Sequence, residues 1–243
     1  MTTADMDNSR RAVGVTPTRR DVVGAMIAMV AVCSMTGTSN AQGSSSTFSG
    51  PNGRPLRLVV FGDSLVAGYQ LPASAAFPAQ LEAKLTALGH KVKVTNSGVS
   101  GDTTAAGLER LNWAVPDDAD GVIVELGAND MLRGLSPKAA RDNLDKIISA
   151  IRARKTPVLI AGMLASSSLG EAYRADFDKI YPDLAKKHDA LLYPFFLDGI
   201  ALRPDLNLAD GIHPNAQGVG VIVERILPTV IELLKRMAET AKA

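Results

Sequence analysis

The chain has one cysteine, Cys33, so it cannot close a disulfide within itself. Histidine is almost as scarce. Of the three residues, His90 and His188 fall at helix ends remote from His213, which leaves too few ligands for a dedicated zinc site. Aromatic residues are only 5% of the chain, which counts against a surface built for stacking sugars. The apolar run from Val22 to Met35 stops short of the ~20 residues a membrane span needs. An excess of charge is also missing: 26 Lys and Arg face 25 Asp and Glu with no basic cluster, which argues against nucleic acid as a partner.

What is present suits one globular domain: 46% of the 243 residues are apolar, enough for a sizeable core. Residues 1–41 read differently, as a signal peptide. Arg10, Arg11, Arg19 and Arg20 precede the apolar run, and small residues lead to a cleavage point after Ala41. The pair Arg19-Arg20 resembles a twin-arginine export signal, which implies export in the folded state. The expected location is periplasmic or secreted, with no membrane span left after processing. Cys33 leaves with the signal, and the mature chain keeps 22 basic and 22 acidic side chains. Residues 42–53, rich in Gly and Ser, are expected to form a flexible linker, and residues 54–243 the functional domain.

From residue 56 short apolar runs alternate with helical periods. Strands are predicted at 56–61, 91–96, 121–126, 157–162 and 190–195, with helices over 77–88, 103–115, 136–155, 171–188 and from 216 to the end. Five such alternations predict a three-layer α/β/α domain around a five-stranded parallel sheet. In such sheets ligands bind where the carboxyl ends of the strands emerge. Four polar loops should meet at that edge: GDSLVAGY (62–69), SGVSGDTT (97–104), GANDM (127–131) and the segment ending in DGIHPN (210–215).

Each loop has a chemical reading and a plain one. Ser64 can be a nucleophile or a turn residue, and with Val66 where a nucleophile elbow needs Gly, an α/β-hydrolase is disfavoured. Asp210 and His213, three apart, can pair as carboxylate and imidazole, or simply build a turn. Asn129 can donate to an oxyanion or cap a helix, and Gly101 can offer a close backbone N–H or mark a turn. A phosphate-binding loop is excluded at Gly101, because Asp102 and Thr103 follow where Lys and Ser/Thr are required. Their joint arrival at one edge is hard to explain as four independent turns.

GDSL at 62–65, SGDT at 100–103, GAND at 127–130 and DGIHPN at 210–215 resemble the four blocks of the SGNH (GDSL-type) hydrolases. The flanking text is similar to their periplasmic thioesterase I, arylesterase and lysophospholipase subfamily, over about residues 57–235. The resemblance implies a flavodoxin-like SGNH fold and no cofactor. It makes Ser64 the nucleophile, with Asp210 and His213 completing a triad. Oxyanion donors would be the N–H groups of Ser64 and Gly101 and the Asn129 amide. The expected substrate is a small-molecule acyl ester or thioester, turned over by a monomer. Its acyl group is expected against Leu65, Tyr69, Leu71, Phe77, Met131, Leu132, Leu135, Met163 and Leu164, although any one of these side chains can equally belong to the core. The segment LASSSLGEAY (164–173) departs from the subfamily, which bears on substrate preference. Two other readings remain, a carbohydrate O-acetylesterase with the same triad and a non-enzymatic flavodoxin-like binding domain.

Overall fold

A computed structural model describes residues 47–241. Five parallel strands, β1 (Leu56–Gly62), β2 (Val92–Gly98), β3 (Gly121–Glu125), β4 (Val158–Ala161) and β5 (Leu191–Tyr193), form one sheet in the order β2-β1-β3-β4-β5. Around it lie α1 (Ser64–Ala67), α2 (Phe77–Ala87), α3 (Thr104–Ala114), α4 (Ala128–Leu132), α5 (Pro137–Ala153), α6 (Glu171–Asp178), α7 (Ile180–His188) and α8 (Ala216–Thr240). Every residue of β3 is buried, as a central strand covered on both faces must be, and β2 at the edge alternates buried with exposed at its start.

The chain leaves β1 to form β2 on one side and then crosses back to β3 on the other. That reversal opens a crevice between β1 and β3 at their carboxyl ends, the ligand-binding position of open α/β sheets. The register fixes what faces it: Gly62 pairs with Gly98 of β2 and with Glu125 of β3. A side chain at Gly98 would collide with the backbone of Ala67, so glycine lets α1 lie directly against the end of β2.

The expected helix at 171–188 is two helices broken at Lys179. Pro182 has no N–H to offer the Asp178 carbonyl, so the hydrogen-bond ladder cannot run through. Part of the expected linker also belongs to the domain. Phe48 stacks on His90 with ring centroids 5.3 Å apart, its N–H donates to His90 Nδ1, and its carbonyl accepts from Lys91 N. A 3-10 turn follows at Pro51–Gly53. The signal-peptide reading of 1–41 and linker residues 42–46 lie outside the described residues. Among the described residues no helix is long and apolar enough to cross a membrane.

Gly98→Ala should lower stability by about 1–3 kcal/mol, because the Val66–Ala67 backbone of α1 lies where the new methyl group would stand. Urea denaturation would show a lower midpoint at an unchanged slope.

Candidate active site

Ser64 is the first residue of α1, placed there by the sharp exit from β1. Asp63 caps the helix, its Oδ1 accepting from Leu65 N at 3.0 Å. The segment after β5 returns to the same edge as DGIHPN, where Asn215 caps α8 by accepting from Gln217 N and Gly218 N. This brings His213 Nε2 to 2.9 Å from Ser64 Oγ across 149 residues of sequence. On the other side of the ring, His213 Nδ1 lies 2.7 Å from Asp210 Oδ2. An ionised carboxylate only accepts, so Nδ1 carries the proton and Nε2 is left to accept from the serine hydroxyl.

Asp210 is held ionised by its own turn. The N–H groups of Ile212 and His213 both donate to its Oδ1 at 3.0 Å, and the Ile212 bond does most to pull its pKa down to about 2, aided by the His213 N–H and imidazole. The ring of Tyr69 lies against that of His213, centroids 4.5 Å apart. The imidazole is therefore braced on a face as well as at both nitrogens.

Asn129 is not a cap: Gly127 occupies that position, at φ +119°, and Asn129 stands inside α4. Its Nδ2 donates to Asp63 Oδ2 at 3.0 Å, which leaves the second amide hydrogen for a ligand. Gly101 adopts φ +87°, a conformation that disfavours side chains, and its carbonyl accepts from Arg133 Nη2 at 2.7 Å. That bond ties the loop after β2 to the end of α4. Among the described residues, the N–H groups of Ser64 and Gly101 meet no protein acceptor. A hydroxyl paired with an imidazole, together with unpaired N–H donors and an amide, can carry acyl transfer.

A cavity of about 240 Å³ opens beside Ser64. Of the expected acyl contacts, Leu65, Met131, Leu132 and Met163 line it, and the others do not. Phe77 is fully buried and meets Phe196 edge to face at 5.0 Å, so it belongs to the core. Leu71 is half-buried against the core, Leu135 and Leu164 are exposed away from the cavity, and Tyr69 serves the imidazole. In their place the segment between β5 and α8 contributes Leu197, Ala201, Leu202 and Ile212. Leu202, 94% exposed, also borders a neighbouring cavity of about 500 Å³. The apolar content of 195–212 was the available signal for this wall, although the segment has no helical or strand period.

The family model described as GDSL-like lipase/acylhydrolase matches residues 60–221. The chain belongs to this family. It is 38% identical over 179 residues to the arylesterase of Vibrio mimicus, an alignment covering 73% of this chain and 90% of that protein. It is 40% identical over 159 residues to thioesterase 1/protease 1/lysophospholipase L1 of Escherichia coli K12, covering 65% and 75% of the two chains. Among solved structures, AlinE4, an SGNH-hydrolase family esterase, superposes with a TM-score of 0.63 at 48% identity, covering 74% of this chain and 97% of that one. TesA superposes at 0.69 and 34% identity, covering 73% and 99%. This GDSL-like protein is accordingly an ester hydrolase with the SGNH α/β fold.

Phe77→Ala should lower stability by about 3–5 kcal/mol, as removal of a buried ring does, whereas Leu132→Ala, on a side chain 56% exposed, should change it by less than about 1 kcal/mol. Thermal and urea unfolding of the two variants would separate core from cavity wall.

Proposed function

We propose that the protein hydrolyses carboxylic esters and acyl thioesters through an acyl-serine intermediate, with Ser64 as nucleophile, His213 as general base and acid, and Asp210 as the carboxylate that orients the imidazole. The observation that carries this reading is the continuous chain from Ser64 Oγ to His213 Nε2 at 2.9 Å and from His213 Nδ1 to Asp210 Oδ2 at 2.7 Å. His213 takes the serine proton as Oγ attacks the carbonyl carbon. It then gives that proton to the departing alcohol or thiol, and water activated by the same ring releases the acid. The Ser64 and Gly101 N–H groups and the Asn129 amide receive the oxyanion. Export through residues 1–41 and action as a monomer complete the reading.

The acyl group rests in the cavity bounded by Leu65, Met131, Leu132, Met163, Leu197 and Leu202. Each methylene buried there is worth about 0.8 kcal/mol, and an open wall such as Leu202 gives a graded preference for chain length rather than a sharp limit. The same apolar lining favours acyl chains over acetylated sugars. The arylesterase and the thioesterase/lysophospholipase among the relatives support esters and thioesters as the substrate class. Support for a reactive serine comes from the esterase EstA of Pseudoalteromonas sp., 26% identical with a TM-score of 0.70, whose structure is described as inhibited by monoethylphosphonate.

A fluorophosphonate should label the protein at Ser64, found by peptide mapping, and Ser64→Ala should abolish both labelling and turnover of p-nitrophenyl esters. Wild-type turnover in Ser64→Ala would end the proposal. Turnover should also fall over the acidic range, because a protonated imidazole cannot accept the serine proton. Asp210, with its pKa near 2, stays ionised through most of that range and adds no step of its own. A flat profile with chemistry rate-limiting would contradict the role of His213.

A further inference from the structure

Behind the Asn129 amide lie two buried carboxyl groups that the reaction does not use directly. Asp63 is 0% exposed and Glu125 1%. Glu125 ends β3 opposite Gly62, the last residue of β1, and Asp63 follows Gly62 directly, so that the Asp63 N–H donates to Glu125 Oε2 at 3.4 Å. We propose that Asp63 and Glu125 share one proton, carried by Glu125, and that the resulting single negative charge on Asp63 is the positioning device that aims the Asn129 amide at the oxyanion.

Two carboxylates cannot both ionise side by side in a buried site. Burial, the larger cause, and the Asp63 charge push Glu125 well above the usual carboxylate range, while burial raises Asp63 to about 6 against the pull of Leu65 N, Asn129 and Glu125. The hydrogen bonds settle which group keeps the proton. Asp63 already accepts from Leu65 N and from Asn129 Nδ2, and both bonds favour the ionised form. The surroundings offer little to ionise Glu125 instead. Arg110, whose Nη2 donates to Gly62 O, is paired with buried Asp102. Tyr181 gives its hydroxyl to Leu126 O, and Asp130 is occupied by Thr104 N and Oγ1. His213 lines the same cavity as Asp63, on the substrate side.

The charge on Asp63 matters because an amide can sit either way round. Only an acceptor at Asp63 demands that Nδ2, not Oδ1, occupy the vertex of Asn129 next to it. A proton on Asp63 would permit the reverse orientation, with a carbonyl oxygen where the oxyanion forms. Asp63 and Glu125 are thus positioning residues that act through Asn129.

This inference rests on Asn129 as an oxyanion donor, so the test is a double-mutant cycle. Asn129→Ala should lower kcat roughly 100- to 1000-fold. Asp63→Asn keeps a good helix cap and removes the charge. It should lower kcat roughly 10- to 100-fold with KM little changed, and should add almost nothing in the Asn129→Ala background. No loss in Asn129→Ala overturns the oxyanion reading and the positioning role together, whereas a full loss there with an additive Asp63→Asn effect overturns the positioning role alone. Infrared spectroscopy should show a protonated-carboxyl C=O band at neutral pH in the folded wild type that is missing in Glu125→Gln. Glu125→Gln, which keeps a neutral donor, should retain most of the turnover that Glu125→Leu loses. Absence of the band, or equal loss in both variants, overturns the shared proton even if Asp63→Asn does not fold.

Discussion

The parallel register that sets Gly98, Gly62 and Glu125 side by side across β2, β1 and β3 is the constraint on which the site depends. Beyond that row the three strands release their loops together. Asp63 and Ser64 leave β1, the Gly101 turn leaves β2, and α4 with Asn129 leaves β3. Two of the aligned positions are glycines because neighbouring atoms leave no room for a side chain: the Ala67 backbone next to Gly98, and the Val66 side chain and the Glu125 carbonyl next to Gly62. A sheet slipped by one residue would still bury its apolar strands in part, but it would separate Asp63 from Glu125 and from Asn129. The site is thus specified by strand pairing before any catalytic side chain is considered.

Holding polar groups at that edge works against stability, and the fold offsets it locally. Asp63, Asp102, Asp130, Glu125 and Arg110 are all buried. Arg110 answers two of the problems at once by pairing with Asp102 and donating to the carbonyls of Ser97 and Gly62, with its guanidinium 4.3 Å over the Phe61 ring. Thr104 meets both oxygens of Asp130 through its N–H and its hydroxyl. Such networks are worth having only when each member is satisfied, since an unpaired buried charge costs several kcal/mol. The carboxyl ends of β1 and β3 therefore form a rigid, internally bonded floor beneath the cavity.

Much of this was legible in the sequence. The apolar runs marked all five strands to within about two residues, because a buried parallel strand has to be a short apolar run, and the four polar loops stood out as interruptions with unusual chemistry. The cavity wall was less legible for an equally physical reason. Leu65 and Phe77 look alike on paper, yet one lines the cavity and the other packs edge to face on Phe196, and only the tertiary fold decides between them. Leu197, Leu202 and Ile212 come from a stretch without regular structure, where no period reveals which side faces a ligand. The break at Lys179 could have been read from Pro182. The docking of Phe48 on His90 could not, since it pairs an apparent linker with a turn 42 residues away.

The site also contains the same side chain with its acidity shifted in two opposite directions. Asp210 lies in an exposed turn, accepts two backbone N–H groups and an imidazole, and has its pKa drawn down to about 2. Asp63, buried beside another carboxyl, is raised to about 6. No cation is needed for the first, because oriented N–H dipoles from its own turn do the work of a counter-charge at fixed geometry. A lysine or arginine there would compete with His213 for the carboxylate and leave the tautomer undefined. For the second, the neighbouring acid is what keeps the charge to one. Environment rather than residue type assigns the roles, the pattern expected wherever one kind of group performs two tasks within a single site.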